Sequence, residues 1–543
     1  MNTLDAFATH QVENQPEPFA PENLYARDPA LCEAVAREGA AWAAPTLIAY
    51  GAAMASEGLD LGVDANRFRP LLRTHDRYGH RVDEIEYHPS YHRLMTLGVE
   101  HGVHAFAWRE PRPGAHVARA VLSYLHHQAE QGTSCPLTMS YAAYPVLAKA
   151  SAIDPQWLNK ARAAHYDPRN RPMADKAGVT FGMGMTEKQG GSDVRSNSTR
   201  ASVASDGSYT LIGHKWFMSA PMSDAFLVLA QAPGGLTCFL LPRWRPDGSA
   251  NALRIMRLKD KLGNWSNASS EVEFCNAFAQ RIGDEGRGVA TILEMVALTR
   301  LECLIGSAAE MRMALTQAVH YARQRQAFGQ LLIDQPLMRN VLADLALESE
   351  AAMVLAMRVA RAVDGGGRDP REAALARLGT AVGKYWVCKR APAFVNEAQE
   401  CLGGAGYVEE TMLARLYREA PLNSIWEGCG NIQCLDVLRT LRREPEARAA
   451  LLDELATVAG HNDALDDEAA ALAVLLGKPD ELEPIARALV ERIAIALQAA
   501  TLLRARSPLA AAFCASRLGG GRRQAFGTLD QGFDWQAIAS RLP

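Results

Sequence analysis

The spacing of apolar residues changes twice along the 543-residue chain, and this feature most constrains its fold. Up to about residue 180, apolar residues recur at helical spacing. From Val179 to Ile282, short β-prone runs are separated by turn pairs such as Asp206-Gly207. After Gly286 the helical spacing returns, in long segments ended by glycines. This order predicts a mainly α protein with a central antiparallel, barrel-like β domain.

The same changes of pattern predict four structural units. We expect an N-terminal helical domain over residues 1–180 and a β domain over residues 181–285. A helical bundle should occupy residues 286–445, and a further helical domain residues 446–543. Within the first unit, Pro145 is expected to kink or end its helix, because proline lacks the N–H that an interior turn needs.

Composition excludes several classes of protein. The net charge of −4 gives no overall basic character that would indicate a nucleic-acid partner. No run of about eighteen apolar residues predicts a membrane helix, and no secretory signal is evident. The ten cysteines form no CxxC pair, so we expect reduced thiols and no metal site. A cytoplasmic location follows as an expectation.

Three segments could carry chemistry, and the first is the loop at residues 185–193. Its glycines, Gly190 and Gly191, allow backbone N–H groups to approach an anion, and Thr186 and Ser192 supply hydroxyls. The preceding Gly182-Met183-Gly184 lacks the third glycine of a dinucleotide fingerprint, and no βαβ unit follows. Local chemistry alone favours an ordinary polar loop between strands.

The second segment is the predicted strand ending at Ser219. Strand alternation places Trp216 and Met218 on one face and Phe217 and Ser219 on the other. An aromatic ring beside a hydroxyl could contact a flat heterocycle and bond its edge. Aromatic residues on strands are more often plain core.

The third segment, residues 424–433, holds one carboxylate between apolar neighbours. Glu427 lies between Trp426 and Gly428. Apolar surroundings disfavour the charged carboxylate, which raises its pKa and makes it a stronger base. Most glutamates are simply solvated, so position alone does not decide.

In their order and spacing, these segments resemble the acyl-CoA dehydrogenase family across residues 30–445. The resemblance implies a helical domain, a β-barrel-like domain and a helical bundle. It also implies noncovalent FAD and the removal of two hydrogens from the α and β carbons of an acyl-CoA thioester. Glu427 matches the catalytic base. An earlier base position found in some members falls near Thr299, which cannot act as a base at neutral pH.

The resemblance also implies a set of cofactor contacts. Arg325 and Phe328 match an element that reaches the FAD of a neighbouring subunit. Glu400 and Pro336 replace glutamines common in the family, which leaves the adenosine-side contacts open. The implied FAD-binding residues are Met185, Thr186, Gly191, Ser192, Phe217, Ser219, Arg325, Phe328, Gly403, Gly404, Trp426, Gly428 and Asn431.

One branch of the family matches more motifs, those at Met185, Gly213, Arg257 and Asn423. The chain is similar there to the AidB alkylation-response proteins, whose extra C-terminal domain corresponds to residues 446–543. That likeness implies a homotetramer, double-stranded DNA binding and weak dehydrogenase activity. An ordinary metabolic dehydrogenase without a DNA role is the alternative. A third possibility is that FAD is purely structural and no natural acyl substrate exists.

Charge along the C-terminal unit is uneven, and this bears on the DNA prediction. Residues 446–503 carry four basic and eleven acidic side chains, whereas residues 504–543 carry six arginines and two aspartates. Arginines can pair with phosphates regardless of base sequence. They can equally be solvated, or pair with the acidic half of the domain. The candidate DNA contacts are Arg439, Arg504, Arg506, Arg517, Arg522 and Arg523.

Overall fold

The computed structural model describes residues 8–519 and 524–543. Its N-terminal part is helical, as predicted, but also contains a hairpin of β1 (Leu71–His75) and β2 (Arg81–Glu86). Pro145 does not end its helix, which continues to Ala148. The helices are α1 (Pro29–Arg37), α2 (Ala44–Ala53), α3 (Leu59–Arg67), α4 (Pro89–His101), α5 (Phe106–Arg109), α6 (Ala115–Ala129), α7 (Ser134–Ala148) and α8 (Gln156–Ala161).

The central domain is a seven-stranded sheet in the order β3-β6-β4-β5-β9-β7, with β8 paired to β9 and β6 also paired to β7. Most pairings are antiparallel, as expected, but β3 and β4 each pair with β6 in parallel. The strands are β3 (Phe181–Gly184), β4 (Arg200–Val203), β5 (Tyr209–Ser219), β6 (Ala225–Ala232), β7 (Gly235–Pro242), β8 (Leu253–Leu258) and β9 (Ser269–Ile282).

Three long helices form the bundle that follows. The first, α9, has 35 residues and is therefore about 50 Å long. Prolines open the other two at their first positions, where a missing N–H costs nothing. The elements here are α9 (Gly288–Ala322), β10 (Gln326–Ala327), β11 (Gln330–Leu331), α10 (Pro336–Gly365), α11 (Pro370–Glu400), α12 (Gly404–Tyr407), α13 (Leu413–Glu419) and α14 (Gly430–Arg443).

The C-terminal helices pack onto this bundle and share its apolar core. Arg541, for example, pairs with Glu33 near α1 and with Glu350 of α10. No helix among the described residues is long and apolar enough to cross a membrane. The helices are α15 (Pro445–Ala456), α16 (Asp463–Leu476), α17 (Ala486–Arg504), α18 (Ala510–Arg517) and α19 (Trp535–Ala539).

Candidate active site

Glu427 lies in the short loop before α14, in a conformation that is rare for a residue with a side chain. Its φ is +57°, in the left-handed region. Such a conformation costs about 1–3 kcal/mol and persists where its surroundings enforce it. The Glu427 carbonyl accepts hydrogen bonds from Arg300 Nε at 2.9 Å and from Gln433 Nε2 at 3.1 Å. These bonds fix the direction of the side chain.

The Glu427 carboxylate is half-buried and bonded to Thr299 of α9. Thr299 Oγ1 donates to Glu427 Oε2 at 2.7 Å. Burial raises the pKa of Glu427, and this hydrogen bond and the charges of Lys384 and Arg300 partly offset the rise. A carboxylate with a raised pKa is a stronger base.

A buried lysine of α11 anchors the loop that carries Glu427, called here the base loop. Lys384 Nζ donates to the carbonyls of Asn423 at 3.0 Å and Gly428 at 2.9 Å. Gly428 has φ of +94°, and a Cβ there would lie 2.8 Å from Gln433 Nε2. Only glycine fits this turn, which explains its place beside the base.

The strand that carries Phe217 and Ser219 departs from simple alternation. The register of β5 against β9 shifts between Lys215 and Met218. Lys215 and Met218 are consequently both buried, while Phe217 is half exposed. Lys259 Nζ lies 3.2 Å from the centre of the Trp216 ring and 4.6 Å from that of Phe217. The prediction that these two rings occupy opposite faces is therefore wrong, because of the bulge.

Cys135, at the start of α7, shows that the base and this strand converge. Burial raises the pKa of its thiol to about 12, while Lys261 and a hydrogen bond with Ser219 lower it. The negative charge of Glu427 acts on the same thiol and raises its pKa further. Cys135 also packs in one apolar cluster with Ala220 and Trp426, the neighbours of Ser219 and Glu427, which are more than 200 residues apart in sequence.

A buried ion pair attaches the loop at residues 185–193 to the β sheet. Glu187 and Lys215 form a fully buried ion pair at 2.9 Å. On the outer side, the hydroxyls of Thr186 and Ser192 have no hydrogen-bonding partner among the described residues. A Cβ at Gly191 would lie 2.4 Å from Thr186 Oγ1. The loop therefore presents free donors in a turn too tight for a side chain, and this arrangement fits FAD.

Other predicted cofactor residues lie far from the base within one chain. Arg325 and Phe328 follow the far end of α9, about 35 Å from Thr299 along the helix. Gly403 and Gly404 follow the end of α11, and a Cβ at either would meet open space. Phe328 is completely exposed. One chain does not bring these residues to Ser219.

Two further residues predicted to bind FAD, Trp426 of the base loop and Asn431 of α14, have hydrogen-bond partners inside the protein. Trp426 donates its indole N–H to Asn423 Oδ1 at 2.9 Å and packs half-buried beside the base. Asn431 accepts from Arg487 Nε of α17 at 3.0 Å. Asn431 is therefore engaged by the C-terminal helices, and Gln433 is the amide that contacts the base loop.

The arginines predicted to contact DNA divide into two groups. Arg504 pairs with Glu454 at 2.7 Å and with Glu38 at 3.5 Å. Arg517 pairs with the buried carboxylates of Asp344 and Glu348. Both arginines form ion pairs inside the protein, so their guanidinium groups are not open to DNA phosphates. This corrects the prediction that they contact DNA.

The remaining DNA candidates differ in what surrounds them. Arg439 is 60% exposed, with Asp436 at 3.9 Å, and Arg506 is also exposed. Arg522 and Arg523 lie outside the described residues. Only Arg439 and Arg506 of the described candidates present open guanidinium groups.

Sequence reasoning missed several residues of the site, namely Lys261, Ser269, Arg300, Lys384 and Gln433. Arg300 and Lys384 reach the base loop from other helices, over 127 and 39 residues of sequence. Lys261 and Gln433 bond to residues at most eight positions away, but the roles of these bonds appear only in the folded site. No group of three or more histidine, cysteine or acidic residues within the described ranges could hold a metal ion.

Comparisons with known proteins agree with this geometry. Residues 14–168 match the N-terminal domain of the adaptive response protein AidB. Residues 182–277 and 286–442 match the middle and C-terminal domains of acyl-CoA dehydrogenases. The chain is 48% identical to the putative acyl-CoA dehydrogenase AidB of Escherichia coli, over 93% of this chain and 94% of that protein.

Solved structures support the fold. The structure of Caenorhabditis elegans ACDH-11 in complex with C11-CoA superposes with a TM-score of 0.85 and 27% identity, covering 99% of this chain and 94% of that one. A Bacillus anthracis acyl-CoA dehydrogenase complexed with FAD superposes at 0.65 with 16% identity, covering 83% of this chain and 82% of that one. The chain belongs to the AidB branch of the acyl-CoA dehydrogenases, FAD-dependent oxidoreductases that act on acyl-CoA thioesters.

Proposed function

We propose that this protein binds FAD between Ser219 and Glu427 and dehydrogenates an acyl-CoA thioester there, with Glu427 as the base. The observation that carries the proposal is that Ala220 and Trp426, the neighbours of Ser219 and Glu427, pack with Cys135 in one apolar cluster. When bound, FAD supplies the redox chemistry by accepting a hydride from the β carbon. Every other part of the reaction depends on residues of this chain.

Glu427 removes the α proton of the thioester. Its raised pKa strengthens the base, but an α proton is far less acidic than a carboxylic acid. Donors must therefore stabilise the enolate oxygen, an effect worth about 3 kcal/mol per donor. The Glu427 N–H has no partner among the described residues and is available for this role.

Acyl-CoA thioesters are the proposed substrate class, because the chain belongs to this family and because the similar ACDH-11 structure is a complex with C11-CoA. The test is anaerobic mixing of the FAD-loaded protein with acyl-CoA thioesters of increasing chain length. We expect at least one to bleach the oxidised flavin. Failure of every thioester in the series would favour a structural role for FAD and contradict the proposal.

The far position of Arg325 and Phe328 supports assembly into a homotetramer, in which these residues reach the FAD of a neighbouring copy. The completely exposed Phe328 ring is consistent with a surface that another subunit covers. Light scattering should give four chains per particle. A monomeric particle with full FAD content would contradict this assembly.

DNA binding in the adaptive response to alkylation, within the cytoplasm, is the second proposed role. The likeness to AidB and the exposed Arg439 and Arg506 support it. Phosphate contacts predict binding that weakens steeply as salt rises. A mobility-shift titration with the double variant R439A/R506A should show weaker binding and a shallower salt slope. Absent or salt-independent binding would favour a purely metabolic dehydrogenase.

A further inference from the structure

Lys261 is a lysine of the loop before β9 whose amine is held in one place. Its Nζ donates to the Asn267 carbonyl at 2.6 Å and to Ser269 Oγ at 3.0 Å. Its own carbonyl accepts from Trp265 Nε1 at 2.8 Å. Both ends of the residue are therefore fixed, and the ammonium has little freedom to move.

Ser269 connects this ammonium to Ser219. The two serines are direct cross-strand partners in the β5–β9 register, so their side chains share a face of the sheet. Their hydroxyl oxygens lie 3.4 Å apart. Because Ser269 Oγ accepts from a cation, its own proton is more acidic and is better donated to Ser219. The proton of Ser219 is then directed onward, away from Ser269.

We propose that Lys261 is a positioning residue that acts through Ser269 to orient the Ser219 hydroxyl as a donor toward the flavin ring, making the bound flavin easier to reduce. The inference rests on the proposed placement of FAD at Ser219. Two-electron reduction adds negative charge to the ring. A chain of donors that begins at a cation stabilises that charge.

The surroundings of Lys261 strengthen the effect of its charge. Burial lowers the pKa of its amine to about 8, which shows that water screens it poorly. The charged and titratable groups that act on it are Glu419, Cys135, Glu130 and Arg69. Because this pKa stays above 7, the amine remains mostly protonated at neutral pH.

A purely structural role for Lys261 would be to pin its loop through Asn267. The variant Ser269→Ala separates the two roles, because it keeps the Lys261–Asn267 bond and removes the link to Ser219. The experiment is a reductive titration of the FAD-loaded protein, measuring the midpoint potential in the variants K261M, S269A, K261M/S269A and S219A. Arg254→Met is the control for the loss of one nearby positive charge, since Arg254 is exposed on β8.

K261M and S269A should each lower the equilibrium constant for flavin reduction about tenfold, which is about 30 mV for a two-electron couple. The double variant should fall no further than K261M, and R254M should stay within a third of that shift. An unchanged potential in S269A would overturn the inference, and so would an equal fall in R254M. If K261M does not retain FAD, S269A alone decides.

S219A distinguishes this inference from the function on which it rests. If S219A keeps FAD with an unchanged absorption spectrum and potential, the placement of the flavin at Ser219 fails. If S219A shifts both while K261M and S269A do not, only the role of Lys261 fails.

Discussion

Thr299 of α9 donates a hydrogen bond of 2.7 Å to the Glu427 carboxylate across a sequence separation of 128 residues. In some acyl-CoA dehydrogenases the base itself is expected near the position of Thr299. Here that position holds a hydroxyl that restrains the pKa of the base instead. Of the two candidate base positions, Glu427 therefore supplies the carboxylate, and Thr299 supplies a hydroxyl that lowers the pKa of that carboxylate.

Thr299→Val should make Glu427 harder to deprotonate. The hydrogen bond lowers the pKa of Glu427, so its loss raises that pKa. Since the carboxylate is the active form, the acidic limb of the kcat/KM profile should move to higher pH. Thr299→Ser keeps the hydroxyl and should leave the limb in place. A T299V profile identical to that of the unmodified protein would contradict the tuning role.

Lys384→Met should destabilise the base loop. The substitution removes the donor to the Asn423 carbonyl and one of the two donors to the Gly428 carbonyl, at a cost of about 2 kcal/mol in the free energy of unfolding. Urea unfolding measures this cost. Lys389, on the exposed face of the same helix, provides the matched control, and K389M should change stability by less than about 0.5 kcal/mol.

Glu419 should make stability fall as pH rises toward neutrality. Burial raises its pKa to about 7 in the folded protein, from 4.5. Between these values the folded state binds more protons than the unfolded state, so the free energy of unfolding decreases as pH rises from about 4.5 to 7. The expected loss is about 3 kcal/mol.

The variant Glu419→Gln tests this, because it keeps an oxygen for the Asn264 N–H and removes the titration. Its stability should exceed that of the unmodified protein at pH 7 and converge with it near pH 4. E410Q, which removes an exposed carboxylate, should leave the pH dependence unchanged. Parallel curves for E419Q and the unmodified protein would refute the assignment.

Arg325→Ala should weaken FAD retention without altering the base. Arg325 lies beyond the far end of α9 and donates within its own chain to the Asn14 carbonyl. We expect the FAD content after gel filtration to fall several-fold, while the free energy of unfolding of the FAD-free protein changes by under about 1 kcal/mol. Arg323→Ala, two residues away, is the control. Equal FAD retention in R325A and the unmodified protein would remove Arg325 from the cofactor site.

The order of helices, strands and helices could be predicted because hydrophobic spacing is a local property. The seven strands of the central sheet lie between Phe181 and Ile282, and long helices follow from Gly288, in the predicted order. The position of Glu427 could be predicted because the motif that contains it spans several consecutive residues. Each of these signals lies within one stretch of sequence.

The rest depends on contacts that sequence does not reveal. The bulge in β5 places Trp216 and Phe217 around one lysine, and nothing in the local pattern of apolar residues marks it. The sequence leaves open whether Arg504 and Arg517 are solvated or paired, and carboxylates of other helices neutralise both in the fold. The contacts of the Lys261 and Lys384 amines likewise appear only in the folded structure.

Single-turnover reduction of bound FAD by an acyl-CoA thioester tests the central claim most directly. The unmodified protein should bleach its oxidised flavin, and E427Q should do so about a thousandfold more slowly while holding the same amount of FAD. Bleaching by E427Q at the rate of the unmodified protein would show that Glu427 is not the base and would contradict the account.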